Sequence, residues 1–414
     1  MLTSLKKVPF MRKSDILVVF LAWALLIFSA QEVGAARHRF IAIDEGLGNL
    51  LYVNEYDSTA NWIVKVNRKV GNDSIYEPRD MQLVGDNRIL IGHRRGYTEF
   101  DCTTGAVKKD VLNFDNVSSV RRLPGGQTLV FGIDLDGSKG VVMLKIDSQN
   151  VKIKKVVWPG TYVRLVRQTN TGTFLMACND TIKEADTNGT FIWKSYLQGT
   201  PATNKHMWKI VRLDNGNVFV SAGYGAFLAE INSSGAVIRK IGAAPQPSGV
   251  NPYFYGMFQI LTNGNVVVAN WQGHGSGHGN AGIQLLEFDR NGSIVWQWNK
   301  ATIISSLQGV LVLDSLNTNF LYDDRNGVMT PLGTTAVNGK TGGTSLPTVA
   351  SSPSRGKLRI QTSAPYTVSS GSFNLLGQSV KQNPTVQAGG ISPSLGAGAL
   401  VHKAGSGEKN RHAR

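Results

Sequence analysis

The sequence predicts an all-β chain built as a six-bladed β-propeller of four-stranded antiparallel blades. Three observations carry that expectation: a pattern recurring every 44 to 48 residues, an incomplete unit before it and a leftover strand after it. Four segments define the repeat, "VRRLPGGQTLVFG", "VRQTNTGTFLMAC", "VRLDNGNVFVSAG" and "FQILTNGNVVVAN". Their turn glycines Gly126, Gly172, Gly216 and Gly264 lie 46, 44 and 48 residues apart. "MQLVGDNRILIGH" is an earlier, weaker copy. Each unit reads as apolar strand, polar turn, second apolar strand, glycine-containing loop, third strand and a further turn. Periods of this size with about four short strands per unit indicate propeller blades.

Taken in chain order, residues 1–35 read as a secretory leader. Lys6, Lys7, Arg12 and Lys13 precede the apolar run Ile16 to Phe28, and Val33 and Ala35 suit the cleavage positions. That run is shorter than the ~20 residues a membrane span needs, and no later stretch is long or apolar enough to supply one. The propeller is expected over 36–330. "FIAIDEG", "LLYVNEY" and "NWIVKV" supply three strands with no first strand before them, whereas "SLQGVLVLD" (306–314) is one strand with no partners after it. Joined, they make a shared blade that closes the ring and leaves no unpaired edge. Between them the repeats close similarly, as in "YTEFDCTTGAVKKDV" and "QLLEFDRNGSIVWQW", with apolar and polar residues alternating as in half-buried strands. The Asn-Gly pairs are expected to turn with both residues at positive φ. Trp193 and Trp296 are expected to pack between sheets, and Arg121 with Arg122 to lie on a solvated strand face. "FLYDDRNGV" reads as a strap on the propeller, with Asp314, Asp323 and Asp324 capping turns or pairing with Arg325. A flexible Gly, Ser, Thr and Pro linker follows (331–356), then a small β-module (357–403) and a basic tail (404–414).

Composition narrows the function classes. Cys102 and Cys178 are the only cysteines and fall in non-adjacent repeats, so two buried free thiols are expected. The formal net charge is +15, but residues 331–414 hold nine Lys and Arg against a single Glu. A basic tail suits an anionic cell surface, and no motif supports nucleic-acid binding. Of the six Asn-X-Ser/Thr sequons, at Asn72, Asn116, Asn179, Asn188, Asn232 and Asn291, several are turn chemistry.

The segments "NGNVFVSAG…AEINSSGAVI" and "NGNVVVAN…LLEFDRNGSIVWQW" resemble the blades of bacterial quinoprotein-like (PQQ-like) and arylsulfotransferase-type propellers over most of 38–314. The resemblance rests on turn and packing residues, so it implies the fold and carries over no cofactor-binding or catalytic residue. "FNLLGQSVK" resembles the "NLLGQ" core of the C-terminal sorting domains of the type IX secretion system, which implies export and surface attachment.

Propeller geometry selects the candidate site. The connections into the innermost strands and the loops between second and third strands open on one face, around the central channel, and a rigid scaffold holds them. The longest such loop lies in "NWQGHGSGHG" (270–279), with Trp271, His274 and His278. The same face is expected to hold His93 beside Arg94 and Arg95, Tyr224, and Asp134 and Asp136 of "GIDLDGSKG". It should also hold Arg79, His206, Lys209, Tyr253, Tyr255, Ser305 and Gln308 from the blade entrances. Three chemistries compete there. His274 and His278, with His206 or His93, form a candidate divalent-metal site. His206 or His274 beside Arg and Lys suits acid–base or nucleophilic work on an anionic group. Trp271, Tyr224, Tyr253 and Tyr255 suit stacking on a carbohydrate, surface polymer or protein ligand. The last reading makes the chain an exported, monomeric binding or scaffold protein, secreted, periplasmic or attached to the cell surface, with catalysis left open.

Overall fold

The structure is a computed structural model that describes residues 36–197, 206–314, 316–323 and 330–332. The expected leader, most of the expected linker, the expected β-module and the basic tail lie outside the described residues. Within the unit 1–355, the described residues form six antiparallel blade sheets, each with four blade strands, and a two-stranded ribbon of Arg68–Val70 and Asp73–Ile75. Blade I joins Leu307–Val312 to Arg39–Asp44, Asn49–Asn54 and Trp62–Lys65, with Phe40 opposite Val312 and Ala42 opposite Val310. Blade II starts at Pro78–Gly85, III at Val117–Arg122, IV at Val166–Gln168, V at Ile210–Arg212 and VI at Phe254–Ile260. The expected closure is therefore present: one strand from the end of the repeats completes three from their beginning.

The ring follows from what each sheet must bury. A blade has two faces, so its inner strands are apolar on both; Phe174–Cys178 is buried at every position. Outer strands have one covered face and alternate, as Val237–Ile241 does. Six apolar clusters form, one between each pair of adjacent blades. One sets Phe40, Ala42 and Leu51 of blade I against Val267, Ala269 and Trp296 of blade VI. Another sets Ile41 and Leu50 of blade I against Met81 and Ile89 of blade II. Each large side chain so buried contributes roughly 1.5–3 kcal/mol. Trp296 lies in such an interface and Trp193 packs beside another. Both thiols are free and buried, and burial pushes each up to about 12.

Three local expectations are corrected. In the Asn-Gly turns after Leu213 and Leu261 only the glycines, Gly216 and Gly264, have positive φ. The strand closes instead from Leu213 N–H to Asn217 O and from Leu261 N–H to Asn265 O, both 2.8 Å. These are three-residue turns in which glycine alone takes the left-handed position. Second, Arg121 is buried and donates to Met81 O at 3.0 Å, and Arg122 pairs with Glu99 at 2.6 Å, because their strand lies innermost rather than on a solvated face. Third, Asp314 pairs with His38 and Arg39, whereas Asp324 and Arg325 lie outside the described residues. The strap itself exists. Leu321–Asp323 pairs with blade II at Val84 and with Thr330–Leu332, so a strand continues two residues into the stretch read as linker.

Candidate functional site

Blade entrances and second-to-third-strand loops converge at one mouth of the channel. Blade I contributes Glu45, blade II Glu77 and Arg79, and blade IV Arg164. Blade V adds His206, Trp208 and Tyr224, blade VI Phe254, Trp271 and His274, and the closing strand Gln308; together they line a cavity of about 60 Å³.

The long loop of blade VI is pinned to the closing strand. Gln272 and Gly273 N–H donate to Ser306 Oγ at 2.8 and 3.0 Å, and Ser305 Oγ donates to Gly275 O at 2.6 Å. Asp44 in turn accepts from the backbone N–H of Ser305 and Ser306, each at 2.9 Å. Gly273 has φ +136°, and a Cβ there would fall 2.6 Å from the His278 ring. Only glycine lets that ring lie against the loop.

Two features give the cavity its chemistry. On one side Glu45 accepts from Trp271 Nε1–H and His274 Nδ1, both at 2.9 Å. A Glu45 carboxylate on Nδ1–H leaves Nε2 of a neutral His274 as an acceptor, an arrangement suited to proton transfer. Opposite, the Arg164 guanidinium lies 4.7 Å from the Tyr162 ring centroid and 5.0 Å from that of Trp208, and its Nε–H donates to Tyr162 Oη. Burial and the charge of Arg164 lower the pKa of His206 and bring Arg79 down to about 10.

The aromatic wall is continuous. Tyr224 meets His206, Tyr253, Phe254 and Trp271 edge to face, at 4.8 to 6.2 Å. Tyr253 stacks on Trp271 at 6.1 Å. Trp271 is 3% exposed and Tyr253 47%, so the platform offered to solvent is Tyr253, with Trp271 beneath it.

Of the residues singled out by sequence, Arg79, His206, Tyr224, Trp271, His274 and Gln308 line the cavity and Tyr253 forms its rim. The rest do not. His93 is buried in blade II against Thr98, and burial with the charge of Arg68 takes it to about 3. Lys209 reaches between blades to donate to Phe258 O at 2.8 Å. Tyr255 is buried and donates to Gly242 O, with its pKa raised by burial. All three sit on the sheet side of their loops: Lys209 and Tyr255 reach a neighbouring blade, and His93 stays within its own. Asp134 pairs with Lys139, and Asp136 with Lys152 and Lys155. His278 donates from Nε2 to His274 O at 3.0 Å. Among the described residues no three His, Cys, Asp or Glu side chains gather to hold a metal ion, so His274 and His278 have no such third ligand there.

Glu45, Glu77, Arg164, Trp208 and Phe254 escaped the sequence reading. A topological signal existed for four of them. Glu45 lies in the second-to-third-strand loop of the shared blade, and "EPR", "TYVR" and "HMWK" are blade entrances like those chosen. Phe254 is the buried first residue of its strand and reads as core.

Fold and site together define a β-propeller with a polar-aromatic pocket at its channel mouth. No family model matches the sequence, and no curated protein matches it. Among solved structures, a Bacteroides caccae protein of unknown function is 19% identical with a TM-score of 0.53, over 68% of this chain and 100% of its own. A streptogramin B lyase is 9% identical with a TM-score of 0.45, over 71% and 91% of the two chains. The WD40 β-propeller domain of Doa1 is 14% identical with a TM-score of 0.44, over 70% and 90%. The first likeness bears on the fold alone. Among the described residues no helix is long and apolar enough to cross a membrane.

Proposed function

We propose that this chain is an exported binding module that captures one group of a larger ligand, a surface saccharide first, at the mouth of its channel. The observation that carries the reading is the size and wall of the cavity. Enclosed small-molecule sites run to roughly 300–1,000 Å³, whereas about 60 Å³ admits a substituent. The exposed Tyr253 platform beside it suits the ring that bears such a substituent. Export and surface attachment rest on the leader and on the "NLLGQ" stretch. The test is a polysaccharide and glycan array probed with the wild type and Tyr253→Ala. The exposed ring leaves the fold intact when removed, and captured ligands are expected to weaken by about tenfold; unchanged capture would refute the reading.

A specific observation favours acid–base chemistry as a second reading, namely Glu45 on His274 Nδ1. Turnover of a captured ligand would then disappear in His274→Gln while binding persists. Turnover retained in that variant removes His274 from any such role.

A further inference from the structure

The Arg164 guanidinium is a cation held ready without a carboxylate. Among the described residues its only side-chain hydrogen-bond partner is Tyr162, and no carboxylate lies within ion-pair distance. Two aromatic rings flank it. The other cavity cation differs: Arg79 pairs with Glu77 and donates from Nη1 to Val117 O at 3.2 Å. Glu77 also faces Arg94 at 3.8 Å, and Glu45 is engaged by Trp271 and His274. Trp208 Nε1 also lacks a partner, but the terminal N–H groups of Arg164 are the charged donors left to the cavity without a carboxylate among the described residues. A guanidinium fixed by flanking rings presents two parallel N–H donors, which match the two oxygens of a planar carboxylate.

Resting on the binding reading above, we propose that the cavity is a subsite for a ring-borne carboxylate, held by Arg164 with its ring against Tyr253 and Tyr224. The charged side chains of the lining sum to zero, so a single negative charge on the ligand is tolerated better than two. Glu45 and Glu77 offset Arg79 and Arg164 in the lining, so a phosphate dianion meets two carboxylates that a monoanion tolerates. Volume agrees, since the cavity takes the carboxyl group and leaves the ring at the rim. Burial lowers the pKa of both His206 and Arg79, and the charge of Arg164 lowers them further.

Sugar acids and aromatic acids both present this chemistry, and calorimetry on the full chain separates them. Glucuronate is compared with glucuronamide, and benzoate with benzamide, for the wild type, Arg164→Gln and Arg164→Lys; melting curves check folding. At least one acid is expected to bind about tenfold more tightly than its amide. That preference should vanish in Arg164→Gln and survive in part in Arg164→Lys, which keeps the charge without the fork. The acid that shows it identifies the ring. Equal binding of acid and amide, an unchanged preference in Arg164→Gln, or no binding of either acid at millimolar concentration overturns the subsite. In each of those cases a Tyr253-dependent capture on the array leaves the binding reading standing. Loss of Tyr253 dependence with the acid preference intact sinks that reading alone.

Discussion

Asp80 has no exposed surface, yet it carries the charge around which three blades meet. Its Oδ1 accepts from Arg167 Nη2 at 2.8 Å and Met81 N–H at 2.9 Å; its Oδ2 accepts from Ser119 Oγ at 2.6 Å and from Val120 N–H and Arg167 Nη1, both at 3.1 Å. Blades II, III and IV are thus tied through one carboxylate. A buried ion pair replaced by apolar groups is often neutral, but removing one partner strands the other's charge. Asp80→Ala is therefore expected to destabilise the propeller by about 3–5 kcal/mol, read as a lowered midpoint in urea unfolding. A loss within experimental error would mean that Arg167 finds equivalent partners. "RDM" in the sequence marks none of this, because Arg167 is 87 residues away.

At the scale of one element, the shared blade is where the ring opens or stays closed. His38 precedes its second strand, with Nδ1 2.6 Å from Asp314 and Nε2 2.7 Å from Glu287 of blade VI. Burial by itself would lower the His38 pKa, but hydrogen bonds and charge from Asp314 and Glu287 outweigh it and raise it to about 9. The folded pKa lies above the unfolded one, so the stabilisation is fully present below about 6.5 and is lost as pH rises through about 9. It amounts to about 3 kcal/mol. Thermal melting should fall by several degrees between pH 6 and 10, and His38→Gln should flatten that fall; an equal fall in both proteins would exclude the latch. Gln259 reinforces the same seam, accepting from Val312 N–H at 2.6 Å and donating to Val312 O at 3.2 Å. The strands of this blade were legible from their apolar alternation, since that depends on neighbours in sequence. The latch was not, since Glu287 and Asp314 lie hundreds of residues from His38.

Across the whole molecule, the sequence by itself determined the number of blades, the shared blade and the strap, because each strand writes its burial into a local pattern and most turns place glycine, or Asp or Asn, at a left-handed position. It also determined which loops share a face, which is why Arg79, His206, Tyr224, Trp271, His274 and Gln308 are legible in it as cavity residues. Only the tertiary structure decided which side chains on those loops turn into the cavity. His93, Lys209 and Tyr255 lie within a residue or two of the mouth but turn into the sheets, a distinction set by strand register and backbone bulges rather than by residue type. Likewise Glu45 became the partner of His274, 229 residues away, and among the described residues Arg164 was left without a carboxylate. Such pairings arise when six sheets close into a ring and bring distant loops to one axis. Their charges then interact across the pocket, where the distance between side chains counts and their separation along the chain does not.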